Sequence, residues 1–249
     1  TVIVLCFSSC ENVFETTLEL DPPPFEKKLI LIANLKTGTD DFRVFVTENF
    51  GILDNEKIPT LKDPKIQFTI NGQLYNNYVR TIQNKGYLFT FDLSNAALQS
   101  GDVCRMMVSH EGFPIANSIQ VVPPSVALTN IKYTENGGLD LTGSERSKIE
   151  ITLTDPQGQN FYEAFIKINN PNYNLPTFTS INEPGAAESV NGYAVNFNDL
   201  SFEDSIKKIS LLIYRASESE ARNNKISIFW SSVTEDYFKY VRTANVYYD

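Results

Sequence analysis

Histidine is nearly absent: the chain has one in 249 residues, His110. Any Ser-His-Asp or Cys-His arrangement would have to use it. It stands in Ser109-His110-Glu111-Gly112, the expected tip of a hairpin, and is read as a solvent-exposed turn residue. One histidine and three scattered cysteines leave no ligand set for a zinc site. Neither Gly-x-x-x-x-Gly-Lys-Ser/Thr nor Gly-x-Gly-x-x-Gly occurs, so the phosphate-cradling loops of nucleotide-binding proteins are missing. No apolar run reaches the about 20 residues that cross a bilayer as a helix. Basic residues are few, 21 against 30 acidic, and the net charge of −9 removes electrostatic attraction to nucleic acid or anionic lipid.

Acid/base chemistry would need paired carboxylates. Asp40-Asp41, Glu203-Asp204 and Glu235-Asp236 are neighbours in sequence, so in extended backbone their side chains point in different directions. Glu235-Asp236 is accounted for by the start of a helix, where negative charge meets the dipole. Asp54, Asn55 and Glu56 lack the spacing of a calcium loop. The expectation is a protein that is not an enzyme, with no catalytic residues, no metal, no cofactor and no nucleic-acid partner.

What is present begins with Thr-Val-Ile-Val-Leu-Cys-Phe-Ser-Ser-Cys, an apolar run closed by two small residues and Cys10. The sequence then turns acidic at Glu11. Val2 to Phe7 is too short to span hydrocarbon and reads as the end of a signal h-region with its processing site. On this reading residues 1–9 are the remnant of a signal peptide, and the chain starts inside that signal, since neither an initiator Met nor a basic stretch precedes it. Cys10 is then the lipid attachment site. Acyl chains contribute about 0.8 kcal/mol per buried CH₂, so two or three of them, palmitate among them, hold a protein firmly. Residues 10–26 form a tether stiffened by Pro22-Pro23-Pro24. The only cysteine then left, Cys104, is expected to be a buried small hydrophobe, with no intramolecular disulfide.

From residue 27 the pattern is one of strands. Phe42–Thr47 and Lys65–Ile70 alternate, and Asn71-Gly72 follows the second as a hairpin signal. Leu74-Tyr75 and Tyr78-Val79 start a single return strand. Gly86–Leu93, Val103–Ser109 and Ile115–Val122 follow. Pro123-Pro124 then separates a first β-sandwich, 27–122, from a second, 125–249. Strands of the second are expected at Val126–Thr134, Lys148–Thr154, Asn160–Ile168, Tyr193–Phe197, Lys208–Ala216 and Lys225–Trp230, with a turn at Gly137-Gly138. Ser232 and Glu235 have capping-box spacing, and Tyr237, Tyr240, Val241, Ala244 and Tyr248 fall on one helical stripe. A helix from about 234 to 246 should therefore dock on the second sandwich. The fold class is mostly all-β: two consecutive Ig-like sandwiches with one C-terminal helix. Binding residues are sought in the long loops at 48–64 and 169–190. The second of these carries Tyr173, Leu175, Pro176 and Phe178, of which Tyr173, Leu175 and Phe178 form the candidate contact patch for a ligand or partner.

The order of several segments resembles one family nearly end to end. They are Ser-Ser-Cys-Glu at 8–11, the acidic Pro-rich spacer, and the Lys-Leu-Ile-Leu-Ile strand. Ser-Gly-Asp-Val-Cys-Arg-Met-Met-Val at 100–108, Pro123-Pro124 and Thr-Asp-Pro-Gln-Gly-Gln-Asn-Phe-Tyr at 154–162 come next. Phe197-Asn198-Asp199 and Thr-Glu-Asp-Tyr-Phe-Lys-Tyr-Val-Arg at 234–242 complete the set. Together they resemble the DUF4249 lipoproteins of Bacteroidota. Cys104 stands at the position of the family's usual aromatic. Two departures stand out: the family continues past this helix into a final strand region where this sequence stops at Asp249, and the start is missing, so a fragment is expected, with a second sandwich that lacks an edge strand. The resemblance implies an outer-membrane lipoprotein exposed at the cell surface. Relatives encoded near TonB-dependent receptors imply an accessory role in uptake, with such a receptor as partner. It carries no catalytic residues. An adhesin or structural envelope protein is the alternative, and a carboxylate-dependent hydrolase the third.

Overall fold

A computed structural model describes residues 26–49, 61–83, 86–140, 142–169, 180–181, 186–188, 194–202, 206–213 and 225–246. The first sandwich has two antiparallel sheets of four strands. One runs β1 (Leu29–Ala33), β2 (Asp41–Glu48), β6 (Gly86–Asp92), β5 (Tyr78–Gln83). The other runs β4 (Gln73–Tyr75), β3 (Lys65–Ile70), β7 (Val103–Ser109), β8 (Ala116–Val121). This is the immunoglobulin order A-B-E-D facing C-F-G, with one strand added beside C. Period-two alternation decides it. Phe42, Val44 and Val46 on β2 and Phe89 and Phe91 on β6 are buried against Ile66, Phe68 and Ile70 on β3 and Cys104, Met106 and Val108 on β7. Rings bridge the two sheets, Phe42 to Phe68 at 4.8 Å and Phe68 to Phe91 at 5.4 Å between centroids. Each such side chain contributes about 1.5–3 kcal/mol when fully buried.

Asn71 (φ 51°) and Gly72 (φ 82°) turn β3 into β4, as their sequence signals. The expected single return strand is instead two. β4 pairs β3 for three residues, then the chain crosses to the opposite sheet, where β5 pairs β6. Asn77 makes the switch. Its side-chain amide donates to Asp92 Oδ2 (3.2 Å), and its carbonyl accepts from Asp92 N–H (3.0 Å), which docks the crossing on the end of β6.

The second sandwich repeats the scheme around a separate core. One sheet runs β12 (Ser180–Ile181), β15 (Ile206–Ile213), β10 (Glu145–Thr154), β9 (Leu128–Leu139). The other runs β13 (Ala187–Glu188), β14 (Val195–Asn198), β11 (Phe161–Asn169), β16 (Lys225–Val233). Ile149, Ile151 and Leu153 meet Ile209, Leu211 and Ile213 within one sheet and Tyr162, Ile166, Val195 and Phe197 from the other. The turn expected at Gly137-Gly138 is displaced. β9 runs through both glycines, with register shifts against β10 near Asn136 and Asn130, both at φ 49°. A Cβ on Gly137 would come within 2.7 Å of Lys148 Cβ, and one on Gly138 within 2.7 Å of Leu212, so the glycines permit close strand approach. The turn comes at Asp140–Ser144, where Asp140 Oδ1 accepts from the N–H of Thr142 (2.9 Å) and of Ser144 (3.0 Å).

The helix α1 spans Glu235–Val246. Its cap is Thr234, whose hydroxyl accepts from Tyr237 N–H at 3.3 Å. Ser232 belongs to β16 and forms no capping box. The docked stripe also differs from the expected one. Phe238 and Val241 are buried, while Tyr240 is 64% exposed. Phe238 lies on Phe161 of β11 at 4.9 Å, and Tyr237 donates to Glu163 at 2.8 Å. Tyr248 lies outside the described residues. Phe238→Ala should therefore lower unfolding free energy by about 3 kcal/mol, the range for a buried Phe truncation, whereas Tyr240→Ala should change it by under about 0.5 kcal/mol. Urea melts of the two variants side by side test this.

Candidate functional site

Cys10, Tyr173, Leu175 and Phe178, the residues singled out from sequence, lie outside the described residues, as do Glu203-Asp204 and residues 50–60 of the first long loop. The structure instead brings together two segments that carry the family resemblance, 154–162 and 197–199. They meet at the end of the second sandwich that adjoins the first.

β10 ends at Thr154, and Asp155-Pro156-Gln157-Gly158 turns the chain, with Gly158 at φ 88°. Asn160, just before β11, then lies beside the end of β14. Its N–H donates to Asp199 Oδ2 (2.7 Å), and its carbonyl accepts from Asp199 N–H (3.2 Å). Its side-chain amide donates to Pro156 O (2.7 Å) and to Asp199 Oδ2 (3.1 Å), which closes the turn. Asp199 O accepts from Phe202 N–H at 2.7 Å and starts the next loop. Two residues on, the Tyr162 hydroxyl donates to Asp155 Oδ1. Asp155, Asn160, Tyr162 and Asp199 are all buried. Burial, then the bond to Asp155, pushes the Tyr162 hydroxyl upward, so it stays protonated and acts as a donor. Phe197 and Trp230 hold its ring at 5.4 and 5.6 Å. The start of α1 completes this end, where Gln120 of β8 donates to Asp236 at 2.6 Å, a bond between the two sandwiches.

Chemically this is a fastening. Asp199 Oδ2 is taken up by backbone and amide donors, and Asp155 by a phenol; Asp199 Oδ1 is buried without a partner among the described residues. No described group of three or more His, Cys, Asp or Glu residues is placed to hold a metal ion. The signal for the fastening was in the sequence as Asp-Pro-x-Gly-x-Asn-x-Tyr, a turn followed by a strand with polar residues at inward positions.

The first sandwich offers three further features. His110 is half-buried, not the exposed residue expected. Its ring lies edge-on to Phe113, with Nε2 2.6 Å from Lys62 O and Nδ1 2.7 Å from Glu111 O. It thus ties the β7–β8 turn to the segment leading into β3. A shallow cavity of about 220 Å³ lies beside the β3–β4 hairpin, lined by Ile70, Asn71, Tyr75, Leu98 and Asp102 among others. Of these, Asp102 accepts from Gln99 N–H and from the Asn71 amide, both at 2.7 Å. Cys104 is buried as expected, its thiol pushed up to about 11 by burial and then by Asp102, which leaves little nucleophilic thiolate.

Two measurements follow from these contacts. Asp199→Ala leaves Asn160 N–H buried without an acceptor and should cost about 2 kcal/mol, read as a fall in urea midpoint with an unchanged slope. Second, hydrogen bonds and ion pairs hold four carboxyls below the usual range, Asp63 and Asp92 exposed and Asp102 and Asp140 half-buried. Arg80 acts on Asp63, Ser94 on Asp92, Gln99 on Asp102 and Thr142 on Asp140. The unfolded chain takes up protons first as these carboxyls titrate, so stability is fully present above about pH 4 and lost as pH falls below it. Urea midpoints across that range should drop; flat midpoints would contradict the assignment.

No curated protein matches the chain. The family model described as a domain of unknown function, DUF4249, matches residues 14–247, so the chain belongs to the DUF4249 family.

Proposed function

We propose that this chain is a lipid-anchored binding or accessory lipoprotein of the outer membrane, held by acyl chains on Cys10 and exposed at the cell surface. The observation that carries the reading is Ser8-Ser9-Cys10-Glu11 at the end of the apolar run Val2 to Phe7. Two facts agree with it. The net charge of −9 gives no electrostatic hold on anionic lipid, and no helix among the described residues is long and apolar enough to cross a membrane. An acyl anchor followed by the Pro22-Pro23-Pro24 spacer would carry two stacked sandwiches away from the bilayer. The resemblance to Bacteroidota lipoproteins encoded beside TonB-dependent receptors supplies the partner: a large β-barrel of an uptake system, with the sandwiches as the contact module.

The anchor and the partner are tested apart. Cys10→Ser should abolish metabolic labelling with a palmitate analogue and move the protein from the membrane pellet to the soluble fraction; retention in the pellet would sink the anchor. The wild-type protein from gently solubilised membranes should co-purify with a β-barrel receptor. Recovery as a lone monomer would remove the uptake reading and leave the adhesin or structural role.

A further inference from the structure

β4 is a three-residue strand at the edge of its sheet. Gln73 lies opposite Ile70 and Tyr75 opposite Phe68. Opposed residues share a face, so Gln73 and Tyr75 point to the same side as the buried Ile70 and Phe68. This inward row thus ends in an amide and a phenol. Together with residues 96–99 and Asp102 they line the cavity of about 220 Å³. Asp102 is fixed in advance. Beyond the bonds from Asn71 and Gln99 already described, Asn71 Oδ1 accepts from Val103 N–H (2.9 Å). The backbone around it is tied as well: Asp102 N–H donates to Gln99 O (3.1 Å), Gly101 N–H to Val122 O (2.9 Å) and Val122 N–H to Asp102 O (2.9 Å). A carboxylate has about four acceptor sites, so the two printed bonds to Asp102 leave acceptor capacity over. The side-chain amides of Gln73 and Gln99 and the Tyr75 hydroxyl have no hydrogen-bond partner among the described residues.

We propose that this cleft binds a neutral sugar ring. The lining decides the class. It holds one carboxylate and no Lys or Arg, so phosphates and carboxylates are repelled. Its side-chain amides, phenol and carboxylate mix donors with acceptors, which suits hydroxyl groups, each of them donor and acceptor at once. Ile70, Ala96 and Leu98 add an apolar side for the C–H face of a ring. The volume is below the roughly 300–1,000 Å³ of pockets for drug-sized ligands, so the cleft takes one ring at a time. Because the hairpin and the Asp102 segment are already fastened, few groups become ordered on binding. The cleft is independent of the anchor on Cys10 and needs no receptor, so it stands or falls apart from that reading.

The test uses the full chain carrying Cys10→Ser and saturation-transfer NMR. The probes are the methyl glycosides of glucose, mannose, galactose and N-acetylglucosamine, with glucosamine and glucuronate as cationic and anionic counterparts. At least one neutral glycoside should receive saturation, with a Kd of about 1 mM for so small a contact, and glucuronate should receive none. Gln73→Ala, Gln99→Ala and Tyr75→Phe each remove one free hydrogen-bonding group and should weaken binding of that glycoside about 3–10-fold. Gln67→Ala, an exposed position opposite Met107 on β7, should leave it unchanged. Urea midpoints of the same variants separate lost binding from lost fold. No transfer to any neutral glycoside overturns the proposal, as does transfer that survives Gln73→Ala with Gln99→Ala in one chain. Strongest transfer to glucosamine overturns it too and gives the cleft to a cation held by Asp102.

Discussion

Everything in both sandwiches depends on excluding water from between two sheets about 10 Å apart. The inward rows do this with branched and aromatic side chains at every second position. Val44, Val46 and Phe89 in the first sandwich, and Ile151, Leu153 and Ile209 in the second, are fully buried. A shift of one residue in any of these strands would exchange the apolar row for Arg43, Thr152 or Lys208 and expose the core. The pairing register is therefore fixed by the sequence of each strand more than by the loops joining them.

The two sandwiches meet this constraint differently at one edge. In the first, β8 completes the sheet beside β7. In the second, the chain turns out of the sheet after β16 and lays an amphipathic helix on its outer face, so Phe161 is buried beneath Phe238. The buried polar fastening of Asp155, Asn160, Tyr162 and Asp199 lies at the end where this helix starts, and Gln120 reaches the same helix from the first sandwich. The junction between the sandwiches is thus built from segments that carry the family resemblance.

Strands whose only demand is alternation were legible from sequence: Lys65–Ile70 and Val103–Ser109 have the expected bounds. Where a second demand competes, the reading failed. The β4–β5 switch depends on Asn77 meeting Asp92, fifteen residues away, which no local pattern reveals. Gly137-Gly138 has turn composition, yet its glycines serve close approach to Lys148 and Leu212. The helix stripe was drawn through Tyr240 because tyrosines recur there, but Phe161 selects Phe238 instead. The fastening residues were visible as a motif, while their convergence depends on β11 and β14 pairing. Cys10 and the candidate patch of Tyr173, Leu175 and Phe178 lie outside the described residues.

The central claim is that these sandwiches hang from a lipid on Cys10. The most direct measurement is intact mass spectrometry of the protein extracted from membranes, with mapping of its N-terminal peptide. The account predicts a mature chain beginning at Cys10, with the mass of a diacylglyceryl group and an amide-linked fatty acid on it. A chain beginning elsewhere, or an unmodified Cys10 peptide, would contradict it.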